Sequence, residues 1–106
     1  MAAKRLFGPA ALGNATATKY TVPAGLATVI RHIHVSNPSA AAVDLTLGIG
    51  ADAAGTRLFD GYPIPADSPY DWYGYLPMVA GEIMPAHASV AATLVIEISG
   101  EETVAG

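Results

Sequence analysis

The chain has 106 residues, 52% of them hydrophobic and 13% charged, about half the charged share usual in globular proteins. That size makes one domain with one modest core, and the low charge at high apolar content excludes intrinsic disorder. The formal charge is −4, and the five basic residues (Lys4, Arg5, Lys19, Arg31, Arg57) are scattered, so no clustered basic face exists for nucleic acid.

The charge is also uneven along the chain. All five bases fall in the first 57 positions beside only Asp44 and Asp52, and the remainder carries seven acids and no base. Such a dipolar, weakly charged molecule suits head-to-tail packing against copies of itself. Without cysteine there are no disulfides, thiol nucleophiles or thiolate metal ligands. MAAKRLFGPAALG lacks the unbroken apolar stretch of a signal peptide, and no run reaches the ~18 apolar residues of a membrane span. The expectation is synthesis in a cytoplasm, with no membrane and no nucleic-acid partner.

In chain order, Met1 to Asn14 has no strand signature. With Leu6, Phe7 and Leu12 as anchors it is expected to be an extended N-terminal arm lying across a neighbouring subunit. Thr18 to Val22 is short and β-prone, and Pro23-Ala24-Gly25 reads as a type II turn with Pro at its second position, which sets Gly25 one place later than the simplest case. Leu26 to Ser36 is a long strand ended by Asn37-Pro38-Ser39. Val43, Leu45, Leu47 and Ile49 then alternate with Asp44, Thr46, Gly48 and Gly50, the clearest strand in the chain.

Asp52 to Gly55 turns and Thr56 to Phe59 is a short strand. DGYPIPADSP, residues 60–69, is expected to be irregular because its prolines forbid a central strand. Asp71 to Leu76 is aromatic and extended, with Trp72 toward the core and Tyr73 and Tyr75 on the opposite face. A turn at Val79 to Glu82 follows. Val90, Ala92, Leu94, Ile96 and Ile98 then share one face of a last strand that Gly100 stops, leaving EETVAG as a frayed tail. Short strands bounded by turns, with no crossover helix, predict an all-β domain over residues 15–100: an antiparallel β-sandwich or jelly-roll-like barrel, flanked by the 1–14 arm and a 101–106 tail.

His32 and His34 are two apart and therefore point to one face of their strand. Two imidazoles at that spacing can share an ion, but a metal site needs a third ligand, and nothing in the sequence sets one nearby. The expectation is that both are surface or interface residues and that there is no metal, catalytic or cofactor site. The serines lie at turns or on outward strand positions, without a nucleophile elbow. Asp60, Asp67 and Asp71 flank proline turns, where aspartate caps backbone groups. FDGYPIPADSPYDWYGY concentrates one Phe, the Trp and four of the five tyrosines in 17 residues, a composition favoured in protein contacts. Phe7, Tyr62, Tyr70, Tyr73, Tyr75, His32 and His34 are the expected interface residues.

The run TKYTVPAGLATVIRHIHVSNPSAAAVDLTLGIGADAAGTRLFDGYPI, followed by LPMVAGEIMPAHASVAATLVIEISG, resembles small β-sandwich virion proteins of tailed bacteriophages. The resemblance covers Thr18 to Glu102 and departs from the commonest pattern at Pro77-Met78 and in the proline-rich Tyr62 to Pro69 loop. It implies a non-enzymatic virion protein, a capsid decoration or cement protein packed as an oligomer, by preference a trimer, against the major capsid protein. The alternatives are a tail- or connector-associated structural protein and a carbohydrate-binding adhesion module.

Overall fold

A computed structural model describes residues 4–51 and 53–104. Eight strands, β1 (Lys4–Ala11), β2 (Ala17–Thr21), β3 (Leu26–Asn37), β4 (Val43–Gly48), β5 (Arg57–Ile64), β6 (Ser68–Met78), β7 (Ile83–Ala88) and β8 (Val95–Val104), account for nearly all of the regular structure, beside one 3₁₀ turn at Ala54–Thr56. They form two four-stranded sheets, a front sheet in the order β1-β8-β3-β6 and a back sheet in the order β2-β7-β4-β5.

The pairings β1–β8, β2–β7, β3–β6 and β4–β5 are all antiparallel and nested. The chain is thus one long ribbon doubled back between β4 and β5 and rolled until β8 meets β3 and β7 meets β4. Eight strands in two such sheets are a jelly roll, the more specific of the two architectures expected.

Two terminal expectations are corrected. Residues 4–11 are no free arm: they form β1, with Phe7 opposite Ile98 and its ring packed partly onto the core. Edge strands tolerate Gly-Pro, and that dipeptide hid this one. Residues 101–104 continue β8 past Gly100 rather than fraying, while residues 1–3 and 105–106 of the proposed arm and tail lie outside the described residues. At the other end the strand starts later than its apolar spacing suggested, since Val90 is half exposed and Ala92 sits at φ 57° in the preceding turn. The 60–69 segment is mostly regular, with β5 running to Ile64 and β6 starting at Ser68.

The core lies between the sheets. Ile30, Ile33 and Val35 of β3 and Ile96 and Ile98 of β8 face Leu45 and Leu47 of β4 and Met84 of β7, all buried. The expected alternation of Val43 to Leu47 supplies one wall of it. Turn chemistry matches the sequence with one shift. Leu26 N–H donates to the Pro23 carbonyl, so Pro23 is the first turn residue and Gly25, at φ 78°, takes the third position that a type II turn reserves for positive φ.

One polar cluster bolts the sheets together at the end where β1, β2, β3 and β8 converge. The Tyr20 hydroxyl of β2 donates to the Glu102 carboxylate of β8 and accepts from Thr28 of β3, and Lys4 of β1 donates to the other Glu102 oxygen. Burial and the neighbouring carboxylate push the Tyr20 phenol up to about 12. The Lys4 ammonium, helped by Tyr20, holds Glu102 below the usual carboxylate range. A carboxyl with a depressed folded-state pKa adds stability above its unfolded pKa and loses it as pH falls through the folded value. Tyr20→Phe is therefore expected to cost about 1–2 kcal/mol at pH 7. The gap between variant and wild type in urea midpoint should narrow on acidification below the ordinary glutamate range.

Candidate functional site

The outer face of the front sheet carries the richest chemistry. Antiparallel pairing sets His34 of β3 directly opposite Asp71 of β6, and His32 opposite Tyr73. Because side chains alternate along a strand, His32, His34, Asp71 and Tyr73 all leave the core on the same side. His32 Nε2 lies 2.7 Å and His34 Nδ1 2.6 Å from the same oxygen, Asp71 Oδ1, which accepts from both rings. The imidazole of His34 first, then that of His32, lowers the Asp71 carboxyl below its ordinary range.

The surroundings orient this cluster. Tyr73 stacks on His32 with ring centroids 4.4 Å apart and planes 3° apart. On the other flank of His34 its strand partner is Glu97 of β8, which is paired with Arg5 of β1 at 3.3 Å. Arg31, at the irregularity between Ile30 and His32, lies over the Tyr75 ring, 5.7 Å from its centroid. The result is a polar and aromatic strip across four strands.

The expected interface residues fall into three places. Tyr73 and Tyr75 are 72% and 66% exposed, far more than the other tyrosines, and share the strip with His32 and His34. Tyr62 and Tyr70 lie elsewhere, in a ring cluster with Phe59 at the margin shared by β5, the edge of the back sheet, and β6, the edge of the front sheet; the two tyrosine centroids are 5.0 Å apart and Tyr70 is packed against the core. Phe7 belongs to the chain's own core margin, with the Lys19 ammonium over its ring at 5.8 Å. Trp72 packs on the core, as expected, and lies over Gly74, where an added Cβ would come within 2.7 Å of the indole.

The residue that sequence reading missed is Asp71. It was expected to cap a turn, whereas its carboxylate bridges two histidines in mid-strand. The other two aspartates of that group serve locally. Asp60 pairs with Arg57 at 2.9 Å, and Asp67 adopts φ 53° in the turn between β5 and β6. His87 is on the back sheet, bonded to Thr16 at 2.8 Å, and takes no part in the cluster. A surface depression of about 300 Å³ beside Pro38 and Pro69 has Asp67 as its one ionisable lining residue.

Among the described residues, His32, His34 and Asp71 are the group whose donor atoms gather closely enough to hold a cation, all within 4.8 Å of one another. Among the described residues no helix is long and apolar enough to cross a membrane. No protein-family model, curated protein or solved structure matches the chain.

Proposed function

We propose that the chain is a non-enzymatic structural protein of a phage virion, a decoration or cement protein that packs as an oligomer on the head against the major capsid protein. The observation that carries this reading is the pair of exposed tyrosines, Tyr73 and Tyr75, on a regular sheet face beside Arg31. Large rigid aromatics and arginine are the groups that anchor protein interfaces, at low entropic cost. The charges beside these rings are already partnered, Asp71 by the two histidines and Glu97 by Arg5, which lowers the cost of covering the face.

The jelly roll recurs in viral capsid domains, and as a fold-level analogy it adds weight only beside that surface. Trp72 packs partly onto the core, so the alternative of a glycan-binding module would rest on Tyr73 and Tyr75 alone. Sedimentation velocity on the purified chain is expected to show reversible oligomers, with a trimer as the expected species. Tyr73→Ala combined with Tyr75→Ala should weaken association by about tenfold or more while the fold is retained. A monomer at every concentration, together with absence of the chain from purified virions, would overturn the proposal.

A further inference from the structure

We infer that His32, His34 and Asp71 form a binding site for one divalent d-block cation, with Zn²⁺ as its representative, on the outer face of the front sheet. The inference is independent of the virion reading. Two imidazole nitrogens and one carboxylate oxygen are the donor set of zinc and its neighbours, whereas Mg²⁺ and Ca²⁺ select all-oxygen sites.

The backbone brings the three donors together without a loop. His32 and His34 are spaced two apart on β3, and Asp71 is held opposite His34 by the β3–β6 ladder. Cluster geometry is close to what an ion requires. A tetrahedral ion with bonds of about 2.1 Å sets its ligands about 3.4 Å apart. The 2.6 and 2.7 Å contacts to Asp71 Oδ1 therefore open, and the donors, within 4.8 Å of one another, close around the ion, by movement of side chains that are 27%, 38% and 35% exposed. In the ion-free cluster each facing ring nitrogen donates its N–H to Asp71. In the loaded site that nitrogen presents its lone pair, and the ring proton resides on the other nitrogen.

The neighbouring charges are engaged elsewhere and leave Asp71 to the histidines. Arg31 is over Tyr75, Arg5 is held by Glu97, and Glu97 is the next acidic group along the row from His34. Tyr73 fixes the plane of His32 and covers one side of it. Three protein ligands leave an outward coordination position for water or a neighbouring group, the arrangement of an open rather than a closed zinc site.

The test is a titration of the full chain with Zn²⁺, followed by calorimetry and by the ring resonances of the three histidines. The expected result is saturable binding of one ion per chain, reversed by chelator, with the rings of His32 and His34 shifting together. His87 on the back sheet serves as the internal control and should stay still. Asp71→Asn should weaken binding by about tenfold or more, and His32→Gln with His34→Gln should abolish it, with circular dichroism unchanged in both. Mg²⁺ at the same concentrations should move neither ring. Absence of saturable binding up to millimolar Zn²⁺, equal shifts at His87, equal competition by Mg²⁺, or unchanged affinity in the double variant would each overturn the inference.

Discussion

Gly100→Ala is expected to destabilise the fold by about 3–5 kcal/mol, a large part of the total stability of a domain this size. Gly100 is buried at the middle of β8, opposite Ile30 of β3 on one side and Lys4 of β1 on the other. An added Cβ would sit 2.0 Å from the Val29 carbonyl oxygen, 3.0 Å from its carbon and 3.1 Å from Ile30 Cα. These are backbone atoms of the neighbouring strand, so no side chain can rotate away and β3 must separate from β8. The site adjoins the register shift between Ile30 and His32, where Arg31 is an extra residue relative to β8. Such irregularities bend a strand, and here β3 comes close to β8 at the glycine. Urea unfolding followed by Trp72 fluorescence reads the effect directly. A midpoint shift equivalent to less than about 1 kcal/mol would show that the strands are not held this closely.

Asn37 is expected to be a second sensitive position. Its side-chain amide is buried and donates to the carbonyls of Ala41 at 2.9 Å, Ile64 at 2.9 Å and Pro65 at 3.2 Å. Its carbonyl oxygen accepts from the Ser39 N–H at 3.0 Å and the Ser39 hydroxyl at 2.7 Å. One side chain thus ties the β3–β4 turn to the end of β5. Asn37→Ala removes a side-chain donor from the buried Ile64 carbonyl and from those of Ala41 and Pro65, and is expected to cost about 2–4 kcal/mol. Asn37→Asp keeps the shape and the Ser39 contacts but sets a carboxylate oxygen against those carbonyls. It should cost at least as much as alanine at neutral pH and recover partly on acidification, when the carboxyl regains a donor. Equal stability of the Asp variant and the wild type at neutral pH would show that the amide donor is not what holds the turn.

Neither position's role was legible in the sequence, whereas the core strands were. Period-two alternation identified Val43 to Leu47, Ile96 to Ile98 and the split between Trp72 and the Tyr73–Tyr75 face, because the apolar set of each strand turns to the core, even in β4 where the outward Thr46 is itself buried. Gly100 read as a stop, since a glycine inside a strand is informative only when its neighbour across the ladder is known. Prolines obscured β1, β5 and β6 for a related reason. Pro9, Pro63, Pro69 and Pro77 all lie on edge strands, where a missing N–H is tolerated.

The candidate site was half legible. The spacing of His32 and His34 placed both rings on one face, and alternation through Tyr73 and Tyr75 implied the same side of its strand for Asp71. What no local pattern contains is that β3 and β6 are neighbours in the register that sets Asp71 against His34. Their pairing spans 39 residues between His32 and Asp71 and follows from the rolled ribbon as a whole.

The front-sheet face bearing Tyr73, Tyr75 and the histidine–aspartate cluster is the part of the molecule on which the proposed role depends. Electron cryomicroscopy of particles purified from the source that encodes the chain tests that most directly. The expected result is density for the jelly roll on the head surface, with Tyr73 and Tyr75 buried against a second copy or the capsid protein. A virion without the chain, or one in which that face points into solvent while another surface makes the contacts, would contradict it.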